Sequence, residues 1–465
     1  MATSAIALLT SLVCTPIATA QAAATQQPAA GQQPAGAAGQ QPATTKNWKD
    51  RAEYDLYVKI TQTTDPKARL DLLNSWQDKY PTTDYNQERL QAFMVTLNQL
   101  AGTDPSVRQK LIDKCNEALK LDPKNFTASY FIAVWGPAVG GNSPAPDLAT
   151  NVETAAHSVL DLADMQFDAS KKPANMNDAD FTKAKNAVVA VAHNALAWAA
   201  ITKKDNTTAE NEYKASLQAN PDQGTISYQY GKLLQEDKSV PDDKKFPTVL
   251  FEYARAAQYT GPGPALSPDA RTKLMDYYNK AYKDFHGSAD GADQLAAQAK
   301  TSALPPDNLS ITSQAAIANQ QADQMNQRIA SDPQFKLWYT IKQSLTGDQG
   351  DQFFNSNVKD AEIPGGAEGV KNFTGTVISI DPPDHPTKVT LGVEDPTKAD
   401  ATLEFSQPLP SSALEKVKIG SKLDFSGVAD SYTKDPYMLT FKDPTVPGVQ
   451  TAAPPKKGTS RRRPR

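Results

Sequence analysis

The stretch Asn116–Asn125 reads NEALKLDPKN, a helix tail closed by Asp122-Pro123, and a second apolar-periodic run opens at Phe126 and reaches Ala133. Proline ends the first helix, because the residue ahead of it is pushed out of the helical region. On its own this is an ordinary helix stop. The same ending recurs at Asn220-Pro221, which makes both stretches joints between helix pairs.

The clearest pair runs from Val191 to Pro221. Its first helix offers Leu196, Ala197 and Ala200; its second offers Ala209, Tyr213 and Ser216 and stops at Asn220-Pro221. Small residues at fixed offsets let two helices approach closely, while large ones fill the groove between them. These residues resemble the tetratricopeptide repeat, a helix pair of about 34 residues. In that resemblance Leu196, Ala197, Ala209, Tyr213, Ser216 and Pro221 fall at matching positions, and Tyr230 and Gly231 take the Leu-Gly positions of the next unit. The second helix of that next unit is expected over Pro247 to Tyr259. Ala118, Leu119, Leu121, Asp122 and Pro123 match the closing pattern, and Leu72 to Pro81 matches it more weakly. The resemblance implies an irregular α-solenoid of about four to six helix pairs that presents a groove to a protein or peptide.

Several segments depart from the repeat. An interruption lies between Trp135 and Phe181, with GPAVGGNSPAP, a helical stretch from Asn151 to Phe167 and a polar loop through Met176. Lys238 to Lys245 lengthens a loop inside a repeat. Helices over Ser267 to His286 and Ala289 to Lys300, separated by a Gly287 cap, read as an atypical closing unit that covers the last apolar face.

The chain has 465 residues, 39% hydrophobic and 22% charged, which is enough to bury cores in two or three domains. The formal net charge is −4, yet Lys456, Lys457, Arg461, Arg462, Arg463 and Arg465 crowd the end with no acid among them. The body ahead of them is therefore more acidic still and repels nucleic acid. At the other end, the apolar run Ala5 to Cys14, followed by Ala18-Thr19-Ala20 or Ala20-Gln21-Ala22, reads as an export signal whose only preceding positive charge is the start amine. Val13 stands where lipidation of Cys14 would require Gly or Ala. Gln21 to Thr45 repeats Gln-Gln-Pro units and lacks the apolar bulk to offset ordering, so a disordered tether is expected. Signal cleavage would leave Cys115 as the single thiol; it lies on the apolar side of its helix and reads as core.

Pro305-Pro306 breaks the array, and Ser310 to Gly347 reads as two helices hinged at Asp332-Pro333. The first carries a stripe of Ile311, Ala315, Ala318, Ala322, Met325 and Ile329, expected to pack on the array or on a partner helix. The second carries Phe335, Leu337, Trp338, Tyr339 and Ile341 and is expected to dock against a domain. Near Val370 the period becomes alternating. Phe373 to Ile380, Val389 to Val393, Ala401 to Phe405, Lys422 to Ala429 and Met438 to Phe441 read as five strands, with a helical turn over Ser411 to Val417 capped by Ser411. That order is similar to the OB-fold, with Gly375 where the long first strand bends. Phe373, Phe405, Phe425, Tyr432, Tyr437 and Phe441 are either stacking faces or the core of the barrel.

No catalytic constellation emerges. His157, His193, His286 and His385 are far apart, with no paired-His spacing and no CxxC. His193 falls on a packing face, and His286 sits favourably at a helix C-terminus. Gly261-Pro262-Gly263-Pro264 cannot cradle phosphate, since proline removes the amide donors. Asp384-His385 falls in a loop.

The expected fold is multidomain and mainly α, an irregular tetratricopeptide-like α-solenoid followed by a small OB-like β-barrel. Its parts are a signal peptide (1–22), a Gln/Pro/Ala linker (23–46), the helical repeat domain (47–303), a helical linker region (304–369), the barrel (370–444) and a basic tail (445–465). The expected function is a non-enzymatic scaffold exported to the periplasm or cell envelope of a bacterium. It needs no cofactor, metal or catalytic residue and binds a protein or peptide partner through groove residues the sequence does not name. The basic tail is expected to meet an anionic envelope surface. The alternative is a ligand-binding module in which the barrel holds an oligosaccharide or nucleotide.

Overall fold

A computed structural model describes residues 48–449. The expected signal peptide (1–22), the expected linker (23–46) and the part of the expected tail from residue 450 lie outside the described residues. The described chain is mainly helical, with fifteen α-helices followed by a curled seven-stranded sheet. It divides into two compact units, Met1–Gln314 and Ala315–Arg465.

The first unit holds α1 (Arg51–Gln62), α2 (Pro66–Lys79), α3 (Asn86–Ala101), α4 (Arg108–Leu121), α5 (Phe126–Gly140) and α6 (Pro146–Gln166). These are followed by α7 (Asp178–Thr202), α8 (Asn206–Ala219), α9 (Gly224–Glu236), α10 (Asp242–Gln258), α11 (Pro268–His286) and α12 (Ala292–Thr301). Helix starts follow local chemistry, with the side chains of Asp50, Asp65, Asn125, Asn177, Asp205 and Ser267 each accepting from a first-turn amide. Gly287 ends α11 at φ +92°, a left-handed conformation that favours glycine. Helices pack chiefly on their sequence neighbours.

The opening stretch links two helices. Leu121 ends α4, the Asp122 side chain accepts from Lys124 N at 3.0 Å, and Asn125 caps α5 through Ala128 N at 3.0 Å. At the second joint, Gln223 Nε2 donates to the Ser216 hydroxyl (2.9 Å) and to Asn220 O (2.9 Å), while Gln223 Oε1 accepts from Asn194 Nδ2 (2.8 Å). Arg255 reaches the same place from α10, donating to Ser227 Oγ at 2.6 Å and to the carbonyl of Pro221. The side chains therefore satisfy carbonyls that Pro221 leaves without a helical amide.

Three helices extend beyond the sequence boundaries. α5 runs through Gly136-Pro137 to Gly140, into the expected interruption, and Val152 of α6 packs so close that a Cβ at Gly136 would lie 2.1 Å from its Cγ2. α6 likewise starts at Pro146, ahead of Asn151. α10 starts at Asp242 and carries Pro247 inside it. Its first turn has Asp242 and Asp243 at the positive end of the helix dipole, and buried Lys245 bonds to Asp242 and the Asp237 carbonyl.

Three apolar clusters fill this unit. One joins Trp76, Phe93, Cys115 and Phe131; the next joins Tyr213, Tyr230, Val249 and Tyr253; the last joins Phe251, Tyr278 and Ala299. Cys115 is fully buried, and burial pushes its thiol far up from the usual range, as expected for a core residue. Gly231 lets α9 and α10 meet, since a Cβ there would stand 2.8 Å from two ring carbons of Tyr253. Gly231→Ala is expected to lose about 1–3 kcal/mol to that overlap, more than the gain in helix propensity. A thermal melt of the variant, expected several degrees below wild type, checks this; an unchanged melt would show that the approach is slack.

The second unit begins with α13 (Gln314–Ser331, whose first residue closes the first unit), α14 (Pro333–Thr346) and α15 (Gly350–Phe353). α13 buries none of its side chains, with Ile317, Met325 and Ile329 half-buried. α14 lies in the expected linker region, yet its Trp338, Ile341 and Leu345 belong to the core under the sheet.

Seven strands form that sheet, not five: β1 (Glu362–Ile363), β2 (Phe373–Asp381), β3 (Lys388–Gly392), β4 (Ala401–Glu404), β5 (Lys422–Phe425), β6 (Gly427–Lys434) and β7 (Tyr437–Lys442), in the order β1-β6-β7-β4-β3-β2-β5. The expected strand Lys422 to Ala429 is broken at Ser426, and its halves pair with different neighbours, β5 with β2 and β6 with β7. Consecutive strands so far apart in the order require the sheet to curl. β4 and β7 pair in parallel; the other ladders are antiparallel. The irregularity in β2 falls between Val377 and Ser379 rather than at Gly375. Gly375 serves close packing instead, because a Cβ there would be 2.9 Å from Leu391 Cβ. The helical turn shrinks to a 3-10 turn over Ser411–Ala413, with no side-chain cap from Ser411.

Candidate functional site

α9 exposes a stripe of its surface. Ile226, Tyr230, Leu233 and Leu234 face the core, so the helical period leaves Tyr228, Gln229, Lys232, Gln235 and Glu236 on the other side, Tyr228 and Gln235 half-buried and the rest exposed. Two neighbouring helices bring tyrosines to this stripe. Tyr253 of α10, buried, stacks on Tyr228 at 5.9 Å between ring centroids, and Tyr277 of α11 meets Tyr253 edge-on at 5.7 Å. Gln235 ties them together: its Oε1 accepts from Tyr253 OH at 2.6 Å, and its Nε2 donates to Tyr277 OH.

The result is a preorganised amphipathic face. Tyr277 keeps 41% of its surface exposed although its ring is buttressed and its hydroxyl bonded. Burial of Tyr253, with Tyr277 and Tyr228 beside it, raises its phenol well above the usual range, so that hydroxyl stays neutral and serves as a hydrogen-bond donor. Aromatic side chains held in this way lose little entropy when a partner covers them. Lys232 and Glu236, 3.7 Å apart, form a weak exposed pair at the edge.

The other candidate residues are placed in structural roles. His193 Nδ1 is 2.6 Å from Glu212 Oε2, a satisfied partly buried pair; His286 Nδ1 is 2.7 Å from Thr312 O; His157 and His385 are exposed and apart. Among the described residues no three His, Cys, Asp or Glu side chains converge as a metal site would require. Gly263 N in the Gly-Pro-Gly-Pro turn donates to Tyr259 OH at 3.0 Å and so is engaged internally. Phe373, Phe405, Phe425, Tyr437 and Phe441 are buried in the sheet unit, and Tyr432 OH donates to Asp351 at 2.6 Å. The first five rings are core rather than stacking platforms, while Tyr432 is half-buried at the edge of that core.

A wide, open depression of about 570 Å³ borders the joint at Pro221, lined by Asp178, Thr182, Lys183, Asn186, Asn220 and Asp222. Its cation is already paired, Lys183 with Asp222 at 3.1 Å. It lacks the enclosure and convergent unpaired polar groups of a small-molecule site.

No protein-family model matches the chain, and no curated protein matches it. Periodicity alone could have singled out Tyr228 and Gln235 within α9. Tyr253 and Tyr277 lie on other helices and carry no sequence signal that links them.

Proposed function

We propose that the helical unit is a tetratricopeptide-like scaffold that holds a protein or peptide partner on the Tyr228–Gln235–Tyr277 face. The observation that carries this reading is the exposed, buttressed Tyr277, joined through Gln235 to a tyrosine stack drawn from three helices. Interfaces concentrate binding energy in such rigid aromatic anchors. Twelve successive helices with closely packed neighbours and proline-closed joints support the repeat reading. For the second unit, the parallel β4–β7 ladder and the run through Ser426 that pairs with both β2 and β7 support an OB-like barrel. The leader-like N-terminal sequence supports export to a bacterial periplasm or envelope.

The test is affinity capture from an envelope extract with wild type and the Tyr228→Ala/Tyr277→Ala double variant. Wild type is expected to retain a stoichiometric partner, and the variant to lose it, each truncation costing about 1–2 kcal/mol of binding. Equal recovery by both proteins would exclude this face, and repeated recovery of nothing would count against the scaffold itself.

A further inference from the structure

The segment Lys416–Lys422 reads KVKIGSK and forms a turn that is pinned on its inner side. Val417 is buried at 1% exposure, Gly420 N donates to Val377 O at 2.7 Å, and Val377 N donates to Ser421 O at 2.9 Å. The Ser421 hydroxyl donates to the carbonyls of Lys416 (2.9 Å) and Lys418 (2.7 Å). Gly420 closes the turn at φ +85°. This scaffold displays Ile419, which is 67% exposed, above every other large exposed apolar side chain of the described residues.

Its surroundings are cationic. Lys416, Lys418 and Lys422 are exposed, and neither Lys418 nor Lys422 has an ion-pair partner among the described residues. Of the two acids on the segment's flanks, Glu415 precedes it and Asp424 accepts from Thr374 Oγ1 at 2.7 Å. Lys416 Nζ donates to Gly448 O at 3.0 Å, so the chain leaves the sheet beside this turn. The sixteen residues that follow Val449 carry Lys456, Lys457, Arg461, Arg462, Arg463 and Arg465 and no acid.

We infer that the Lys416–Lys422 turn is a docking point for an anionic phospholipid bilayer, with Ile419 entering the boundary between headgroups and acyl chains. Lys416, Lys418 and Lys422 meet lipid phosphates, and the adjoining basic tail supplies the long-range attraction. Cations near an anionic bilayer and an apolar side chain buried at its interface act together, since either alone gives only weak binding. The exposed isoleucine favours a bilayer over a nucleic acid or other soluble polyanion, which offers it no hydrocarbon. The inference deepens the expected contact of the tail with an anionic envelope surface, and it is independent of the tyrosine face.

The test is co-sedimentation of the full chain with vesicles of phosphatidylcholine alone and of phosphatidylcholine mixed with phosphatidylglycerol. Binding is expected only to the mixed vesicles and is expected to weaken steeply with salt. Ile419→Ser, which keeps the charge, is expected to weaken it about tenfold, and Lys418→Gln/Lys422→Gln by at least as much. Wild-type affinity in Ile419→Ser together with loss in a chain ending at Val449 would overturn the turn's role while leaving the tail's attraction intact. Absence of vesicle binding, equal binding to neutral vesicles, or binding to an oligonucleotide alone would overturn the inference as a whole.

Discussion

Trp338→Ala destabilises the sheet-bearing unit by about 3–5 kcal/mol, a large share of the stability of an ordinary domain. Trp338 is fully buried and is the element through which α14 joins the sheet. Its ring lies edge-on to Phe373 at 5.0 Å, Phe425 at 6.3 Å and Tyr437 at 6.4 Å. Truncation leaves a cavity that surrounding strands, tied by their ladders, fill only in part. Trp338 Nε1 also donates to Asp400 Oδ2 at 3.0 Å, and the Asp400 carboxylate in turn accepts from Val393 N (2.7 Å) and Glu394 N (2.9 Å). Burial raises the Asp400 pKa despite these donors, so losing one worsens an already costly site. Trp338→Phe, which keeps most of the ring and loses the N–H, is expected to cost less than half as much. Urea unfolding gives the size, and hydrogen exchange should place the added opening in β2 to β7. Unchanged protection of those strands in Trp338→Ala would remove α14 from the core.

Glu252→Gln abolishes a pH dependence of stability that the wild type shows between about pH 4.5 and 8. Glu252 lies inside α10 with no exposed surface, and neither carboxylate oxygen has a hydrogen-bond partner of good geometry. Burial pushes its pKa from 4.5 up to about 8, against smaller opposing effects of nearby Ser227 and of Arg255 one turn along. Ser227 Oγ accepts from Arg255 at 2.6 Å, and no hydrogen bond of good geometry joins it to Glu252. The folded protein therefore holds this proton more tightly than the unfolded chain does. Its contribution to stability is fully present below the unfolded pKa, falls as pH rises above about 4.5, and levels off above about 8. The full span is on the order of 4 kcal/mol. In Glu252→Gln a neutral side chain of the same shape replaces the acid, so the variant should match wild type near pH 4 and exceed it at pH 9. Denaturant midpoints across that range, read as the difference between the two proteins, check this. A constant difference would mean that Glu252 stays ionised beside Arg255 throughout.

Much of the helical unit was legible because helix ends are local. Ser267 and Gly287 bracket α11 through bonds to residues within a turn, and Asp122-Pro123 and Asn220-Pro221 close α4 and α8 for the same reason. Where a distant group intervenes, local rules mislead. Pro137 and Pro247 read as boundaries, yet α5 and α10 run through them, α5 with Val152 of the next helix packed on Gly136. β6 was missed beyond Ala429 because Asp430 to Lys434 buries no side chain, so hydrophobic alternation is absent; only the ladder to β7 makes it a strand.

The two surfaces divide in the same way. Helical period within α9 determines that Tyr228 and Gln235 face away from Tyr230 and Leu234, and the residue order Lys416 to Lys422 determines that an isoleucine stands among lysines. Sequence likewise determines the joints and the change from helical to alternating period near Val370. Tertiary structure alone decided that Tyr253 and Tyr277 complete the aromatic face, that Ile419 stays outside while Val417 goes in, and that Phe373, Phe405, Phe425, Tyr437 and Phe441 are core of the sheet unit. Exposure is set by which remote segments pack on a residue, and no local pattern carries that information.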